Sequence, residues 1–430
     1  MKPTKPLLFQ IGLLAVAGIA LMIPTPQAQG QTLEEIAAEM RSMKERISEL
    51  ETKLEVTESK LASAEAKAES AKQSADTAVQ VASTASAGSI ITDEKGVIVN
   101  GDIPLPVIPQ EGWWNKTSIG GYGEMHLTLG DKEEIDFHRF VLFVDHQFDD
   151  RIRLVTELEL EHSLAGDGKP GEVELEQAYV EMDLGSGYAA RAGLFLLPVG
   201  IINEYHEPNT FFGTERNFVE SEIIPTTWWE GGVGLTKRFD NGLSLDLSGH
   251  SGLDVDADGS NAFRIRGGRQ KVAEASAGDW GSTLNAEYNG IPGFGIGGSI
   301  QYQSDLTQTT SPESNAAWMA ETHIDVQMGG FGLSALYGHW DISGATPAAL
   351  GLAEQSGFYI EPSYTFNTSI GDIGFFTRWS KLEAQKLDSN VYDVGMNYWP
   401  TENVVLKADY TRIDEAVDQD FINFGVGFQF

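Results

Sequence analysis

The spacing of turn signals between Lys116 and Phe430 constrains this chain more than any other feature. Tight turns rich in Gly, Asn, Asp and Pro recur at Phe148-Asp149-Asp150-Arg151, Gly185-Ser186-Gly187, Phe239-Asp240-Asn241-Gly242, Asn289 to Gly293, Gly329-Gly330, Asn367 to Asp372 and Pro400 to Asn403. These residue types supply the backbone conformations that a hairpin needs. Longer polar connections fall between them, around 130–134, 163–171, 196–227, 251–278, 304–316, 342–357, 383–390 and 414–420. Seven short turns alternating with eight long connections predict 16 antiparallel strands, with both chain ends on the short-turn side.

The segments between these turns alternate as strands with one apolar and one polar face. Leu243, Leu245 and Leu247 share one face, with Ser244, Asp246, Ser248 and His250 opposite. Trp318, Ala320, Ile324, Val326 and Met328 oppose Glu321, His323, Asp325 and Gln327, and Arg151, Arg153, Glu157, Glu159 and Glu161 oppose Ile152, Leu154, Leu158 and Leu160. A soluble sandwich also alternates, but here the polar faces are heavily charged and aromatic residues crowd the strand ends. That is the pattern of a transmembrane barrel with short periplasmic turns, longer external loops and aromatic girdles. Beyond the N-terminus no apolar run reaches the roughly 18 residues of a spanning helix, so a membrane-embedded chain must be a closed barrel. The last strand, Phe421 to Phe430, ends in Phe like the C-terminal signature of bacterial outer-membrane proteins. The fold class is all-β: a 16-stranded antiparallel transmembrane β-barrel preceded by an N-terminal α-helical coiled coil.

The segments before the barrel read differently. Residues 1–30 form a secretory signal peptide, with Lys2 and Lys5 ahead of the apolar run Leu7 to Ile23 and small residues at Ala28 and Gly30. Residues 31–87 carry a heptad seam through Leu33, Ile36, Met40, Met43, Ile47, Leu50, Leu54, Thr57, Leu61, Ala64, Ala68, Ala71, Ala75 and Ala78. A strict 3.5-residue period makes a left-handed coiled coil and calls for partner strands, so a homotrimer with a periplasmic coiled coil is expected. The linker at 88–112 holds Pro104, Pro106 and Pro109, and the barrel domain spans 113–430.

The net charge of −34 argues against a nucleic-acid partner, and the absence of Cys removes disulfides, thiolate metal sites and a thiol nucleophile. The eight His residues are scattered, with no HExxH helix and no GxSxG elbow. No enzyme activity and no cofactor are assigned.

Residues 196–229 interrupt the strand pattern. They contain three prolines and many aromatics, too apolar for a disordered loop. Around and within this stretch stand Glu176-Gln177-Ala178-Tyr179-Val180-Glu181, Arg191-Ala192-Gly193, Leu197-Pro198-Val199-Gly200, Thr214-Glu215-Arg216-Asn217 and Ile224-Pro225-Thr226-Thr227-Trp228-Trp229-Glu230-Gly231-Gly232. On these residues the barrel region resembles the phosphate-selective porin O/P-like family of outer-membrane porins. The resemblance implies a passive diffusion channel for small hydrophilic solutes or ions, with this third external loop folded into the lumen as a constriction. Glu204, His206, Glu207, Glu215, Arg216, Glu220 and Glu222 are then the constriction candidates. Phosphate-selective members depend on inward Arg and Lys. Here Arg153, Arg191, Arg238, Arg378 and Lys407, with Glu157 among the lumen-wall charges, are outnumbered by acids such as Glu124, Glu159, Asp246, Glu321 and Asp409.

Two patches remain. Phe263 to Lys271 concentrates Arg264, Arg266, Arg269 and Lys271, a basic loop suited to drawing anions to the mouth or touching lipopolysaccharide. Asp254, Asp256 and Asp258 repeat half of a calcium loop, but Ile265 stands where the closing Glu belongs. Outer-membrane lipid and a second copy of the chain are the expected partners. Tethering to peptidoglycan through the coiled coil and an anion-preferring channel are the alternative readings.

Overall fold

In the computed structural model the described residues are Lys44, the backbone of 90–93, 96–99, 103–104 and 113, and residues 114–308, 311–385, 387–415 and 417–430. The expected signal peptide and nearly all of the coiled coil lie outside them. Within the expected linker, β1 (Ile90–Asp93), β2 (Gly96–Val99) and β3 (Ile103–Pro104) pair antiparallel in a small ladder, with Ile90 opposite Val99 and Ile98 opposite Pro104.

The remainder is a closed barrel of 16 strands in which every strand pairs antiparallel with its sequence neighbours. The strands are β4 (Thr117–Gly130), β5 (Glu134–Gln147), β6 (Ile152–Glu161), β7 (Val173–Gly185), β8 (Tyr188–Leu196), β9 (Trp229–Arg238), β10 (Leu243–His250) and β11 (Gly281–Ile291). They continue with β12 (Phe294–Gln303), β13 (Ala317–Met328), β14 (Phe331–Ile342), β15 (Glu354–Thr368), β16 (Gly371–Ala384), β17 (Leu387–Thr401), β18 (Val404–Asp414) and β19 (Gln419–Gln429). β19 closes on β4 with Val426 opposite Met125, and the Phe430 backbone exchanges bonds of 3.0 and 2.9 Å with Gly121. The expected strand count and all seven short turns are present. Three of the eight expected long connections are short: 131–133, 385–386 and 415–418. Their polar residues extend the strands instead, as in the pair Glu383 and Asp388 near the end of the β16–β17 ladder.

The pleat sorts the side chains as the alternation requires. Leu245, Leu247, Trp318, Ile422, Phe424 and Val426 are exposed on the outer face, while Asp246, Ser248, His250, Glu321, His323 and Asn423 are buried on the inner one. The register of the barrel ladders shifts at five places, three beside short turns and two within the strands. Between β4 and β5 the register steps from Glu124–Arg139 to His126–Asp136, and between β6 and β7 from Glu157–Gln177 to Leu158–Leu175. The extra residue of a bulge re-aims a side chain. The continuous apolar core is inside the barrel. It joins Leu197, Val219, Ile223 and Trp228 of connection 197–228, Leu253, Phe263 and Ile265 of connection 251–280, and inward residues of β13 to β18 such as Met319, Trp340 and Leu382.

Candidate functional site

Connection 197–228 is clasped at its base. Leu197 N–H donates to the Trp228 carbonyl at 3.0 Å, and the Asn203 amide donates to the Leu197 and Trp228 carbonyls at 2.7 and 3.0 Å. Asn203 Oδ1 accepts from Trp228 N–H at 2.7 Å. One side chain thereby satisfies both strands of the loop's neck. Farther in, Asn217 Oδ1 accepts from Glu220 N–H at 2.8 Å and starts the short helical turn Val219–Ile223. The Glu220 carboxylate accepts from Ile201 and Ile202 N–H at 2.8 and 2.7 Å and from the Tyr359 hydroxyl at 2.8 Å. Burial raises the Glu220 carboxyl above its ordinary pKa, although these donors pull the other way.

The loop lies along the inner faces of β4, β5 and β14 to β18. Trp340 Nε1 donates to the Ile223 carbonyl at 2.8 Å, Arg378 Nη1 to the Phe212 carbonyl at 3.3 Å, and Asn397 Nδ2 to the Phe211 carbonyl at 3.0 Å. Thr214 N–H donates to Asp409 at 2.7 Å, Glu215 lies 2.8 Å from His126 Nδ1, and Arg139 Nη2 donates to the His206 carbonyl at 2.7 Å. Lys407 Nζ sits 3.7 Å above the Phe211 ring. Inward glycines make room for this track: a Cβ on Gly427 would stand 2.5 Å from Pro208, and one on Gly374 would stand 2.7 Å from the Phe212 ring.

The opposite wall faces open space. A cavity of about 700 Å³ runs between Pro198 to Tyr205 of the loop and the inner faces of β8 to β13, where Arg191, Arg238, Asp246, Glu287, His323 and Asp325 line it. Arg191 pairs with Asp246 at 2.8 Å, and His323 bridges Glu287 and Glu321 at 3.0 Å each.

The sequence-derived candidates divide by surroundings. Glu204 is exposed, Glu215 has 56 % of its side chain exposed, and Glu207 and Arg216 are half-buried. His206 and Glu220 are buried in the loop's footing rather than turned to open space. Glu222 is held by Arg264 in a two-pronged pair at 2.8 and 3.1 Å. Of the wall charges, Arg378 is buried between Asp393 at 2.9 Å and Glu361 at 2.8 Å, Arg153 pairs with Glu181, and Glu157 is buried. The four cations of the basic loop turn toward the protein. Besides Arg264 on Glu222, Arg266 donates to the Ser221 and Thr226 carbonyls at 2.9 and 2.7 Å, Arg269 to the Thr227 carbonyl at 2.7 Å, and Lys271 pairs with Glu172 and Glu174. Connection 251–280 thus lies on connection 197–228, and Gln355 and Gln385 anchor its Phe263 and Ser260 carbonyls at 2.8 and 2.7 Å.

Sequence reasoning missed Arg139, which is fully buried and donates to Glu124 at 2.6 Å. The bulge beside it shifts the alternation that would have marked it as inward. Among the described residues four groups bring three His, Asp or Glu ligand atoms within 4.8 Å of one another: His126, His138 and Glu215; Asp136, His138 and His162; Glu157, Glu176 and His206; and Glu159, Glu161 and Glu174. Asp254, Asp256 and Asp258 form no such group, and burial followed by the charges of Asp256 and Asp305 raises the Asp254 pKa.

No family model matches the chain. A protein of Aquifex aeolicus (strain VF5) of uncharacterized function is 26 % identical over 349 residues, covering 73 % of this chain and 80 % of its own length. Among solved structures, the anion-selective porin from Comamonas acidovorans matches with a TM-score of 0.51 at 9 % identity, over 73 % of this chain and 99 % of that one. The outer membrane channel DcaP of Acinetobacter baumannii matches with a TM-score of 0.50 at 9 % identity, over 73 % and 97 %. At such identities the likeness establishes the fold, a porin-like barrel.

Proposed function

We propose that this chain is a bacterial outer-membrane porin, a passive diffusion channel for small hydrophilic solutes or ions whose third external loop narrows the lumen. The observation that carries this reading is the bonding of connection 197–228 to the inner faces of β4, β5 and β14 to β18, beside a lined cavity against β8 to β13. A loop so held leaves a conduit on one side of the barrel only. Glu204 stands on the loop side of this conduit, and Arg191, Arg238, Asp246, Glu287 and Asp325 stand on the wall side. Charged rings at a narrow point set ion preference, and this lining mixes both signs with acids in excess. It supports weak selectivity over phosphate preference, although one fold neighbour is an anion-selective porin. The exposed apolar outer face supports contact with lipid.

Planar-bilayer recording tests the reading. Folded protein should give discrete conductance steps, in threes for a trimer, and reversal potentials should show little preference for either ion sign. Folded protein without conductance refutes it. The heptad seam supports a periplasmic coiled coil that holds three barrels together. Deleting Gln31–Ala87 should weaken the trimer and leave single-channel conductance intact. Loss of envelope cohesion with an intact trimer would favour the tether to peptidoglycan instead.

A further inference from the structure

Three acceptor atoms converge in a dry position where connection 197–228 meets the β6–β7 wall. Glu157 on β6, Glu176 on β7 and His206 in the loop are 2 %, 0 % and 2 % exposed. His206 Nε2 lies 3.6 Å from Glu157 Oε1 and 3.5 Å from Glu176 Oε2. A charge-assisted N–H···O bond spans about 2.7–2.9 Å, so these contacts are too long to be such bonds. Neither His206 Nε2 nor Glu176 Oε2 has a hydrogen-bond partner. Among the described residues this is the one convergent group in which all three members are buried.

The atoms that face away from the convergence are all held. His206 Nδ1 lies 3.1 Å from the Asn203 carbonyl, which makes Nδ1 a donor and leaves Nε2 facing the carboxylates. Gln177 donates to Glu157 Oε2 at 2.7 Å and the Thr227 hydroxyl to Glu176 Oε1 at 2.9 Å, while the converging Glu157 Oε1 also accepts from the Tyr122 hydroxyl at 3.2 Å. The β6–β7 bulge makes this possible by presenting Glu176 and Gln177, adjacent in sequence, to the same interior. The Arg139 guanidinium spends its donors on Glu124, Tyr122 and the His206 carbonyl. Two carboxylate oxygens away from water need a cation beside them, either a proton on His206 Nε2 or a metal on its lone pair, and separations of 3.5 and 3.6 Å are long for imidazolium bonds. An imidazole steadied through its other nitrogen by a backbone carbonyl, beside carboxylates that are themselves hydrogen-bonded, has the outer-shell arrangement of a metal ligand. Ligand atoms at about 2.0–2.2 Å from a tetrahedral ion stand roughly 3.3–3.6 Å apart, and the two measured separations match.

We propose that Glu157, Glu176 and His206 bind a divalent transition-metal cation of the zinc class, which staples connection 197–228 to the barrel wall. One imidazole with two carboxylates suits zinc better than an all-oxygen cation such as calcium or a thiolate-seeking one such as copper(I). This goes beyond the channel reading, and its test uses no conductance.

Full-length protein purified in detergent without chelator is loaded with zinc, dialysed against metal-free buffer and analysed by elemental mass spectrometry. Wild type should keep one zinc per chain. His206→Gln and Glu176→Gln should keep roughly a tenth of that or less, whereas His323→Gln, which alters a different histidine cluster, should keep it. Cobalt(II) in place of zinc should give a four-coordinate visible band in wild type that both site variants lack. Thr227→Val removes only the hydroxyl on Glu176 and should weaken zinc binding about 10–100-fold, so it serves as the test if the other variants fail to fold. The proposal is overturned if folded wild type retains no more zinc or cobalt than His206→Gln, or if Thr227→Val binds zinc as tightly as wild type.

Discussion

Replacing Glu220 by Ala should release connection 197–228 from the barrel wall without unfolding the barrel. The carboxylate is fully buried and accepts from Ile201 N–H, Ile202 N–H and the Tyr359 hydroxyl at 2.8, 2.7 and 2.8 Å. A buried donor stripped of its acceptor costs about 1–3 kcal/mol. Taking the low end for three donors, because water fills part of the gap, gives a loss of about 3 kcal/mol. At tenfold for each 1.4 kcal/mol, the undocked loop becomes roughly 150-fold more populated. The loop's single tryptic site is Arg216, and cleavage tracks the open population when reclosing is fast. Trypsin should therefore cut at Arg216 about two orders of magnitude faster in the variant. Glu220→Gln keeps an acceptor for both N–H groups and should cost about 1 kcal/mol or less. The pH dependence has a definite sign. The docked-state pKa of Glu220 is raised, chiefly by burial, so its contribution is complete below the pKa of the free carboxyl and is lost as pH rises through the docked-state value. Wild-type cleavage should accelerate over that rise, and Glu220→Gln should remove the acceleration. Equal cleavage of folded wild type and Glu220→Ala would refute the account of how the loop is held.

Arg139→Met removes the guanidinium that bonds Glu124 and the His206 carbonyl and leaves a buried carboxylate short of its cation. A loss of about 3–5 kcal/mol is expected, read as a lower temperature for loss of the folded form on unheated gels. Arg266→Ala strips the donors from the Ser221 and Thr226 carbonyls and should expose connection 251–280 to protease, with about 2 kcal/mol lost from its docking. Glu204→Lys changes the charge beside the proposed conduit by two units. At about 8 Å in bulk-like water each unit is worth roughly 0.5 kcal/mol, which disfavours a cation and favours an anion by about 1 kcal/mol each, so the cation-to-anion permeability ratio should fall roughly 30-fold, measured by reversal potential.

The barrel was legible because its two signals are local. A turn needs Gly, Asn, Asp or Pro at fixed places, and a strand between lipid and water must alternate, so Phe239-Asp240-Asn241-Gly242 and Leu243 to His250 declare themselves without any distant contact. Contacts made across the interior leave no such mark. Arg264, Arg266, Arg269 and Lys271 read as a free basic patch because their partners, Glu222, the Ser221, Thr226 and Thr227 carbonyls, Glu172 and Glu174, lie dozens of residues away. The apolar residues between and before them, Phe263 and Ile265, were the available clue, since a solvated loop has no use for two side chains that are fully buried. Likewise His206 and Glu220 read as lumen-facing charges, because sequence cannot distinguish an acid that lines water from one that braces a loop.

The inner wall itself carries the imprint of the loops. An interior that faces water along its whole height stays polar on alternate residues, as Glu321, His323 and Asp325 do on β13. Where the loops dock, the inward positions become apolar or lose their side chains. Met319 precedes those acids on the same face of β13, Leu336, Gly338 and Trp340 follow one another on β14, and Gly357 beside Tyr359 on β15 leaves space for Ile223. The energetic reason is burial: an apolar inward side chain is favourable only against another apolar group, about 1.5–3 kcal/mol for a full-sized one. The break in polarity along a strand therefore marks how deep the covering loop reaches. Strands β9 to β12 show no such inward apolar run, with Thr236, Asp246, Ser248, Thr283, Asn285, Ser299 and Gln301 on that face. Of these, Thr236, Asp246 and Asn285 also line the cavity, whereas Ser248, Thr283, Ser299 and Gln301 are buried and do not. Accordingly, Asn285→Trp on β11, which lines the cavity, should reduce conductance in planar bilayers, whereas Met319→Leu inside the docked patch should leave it unchanged. The reverse outcome would place the conduit on the other side of the loop.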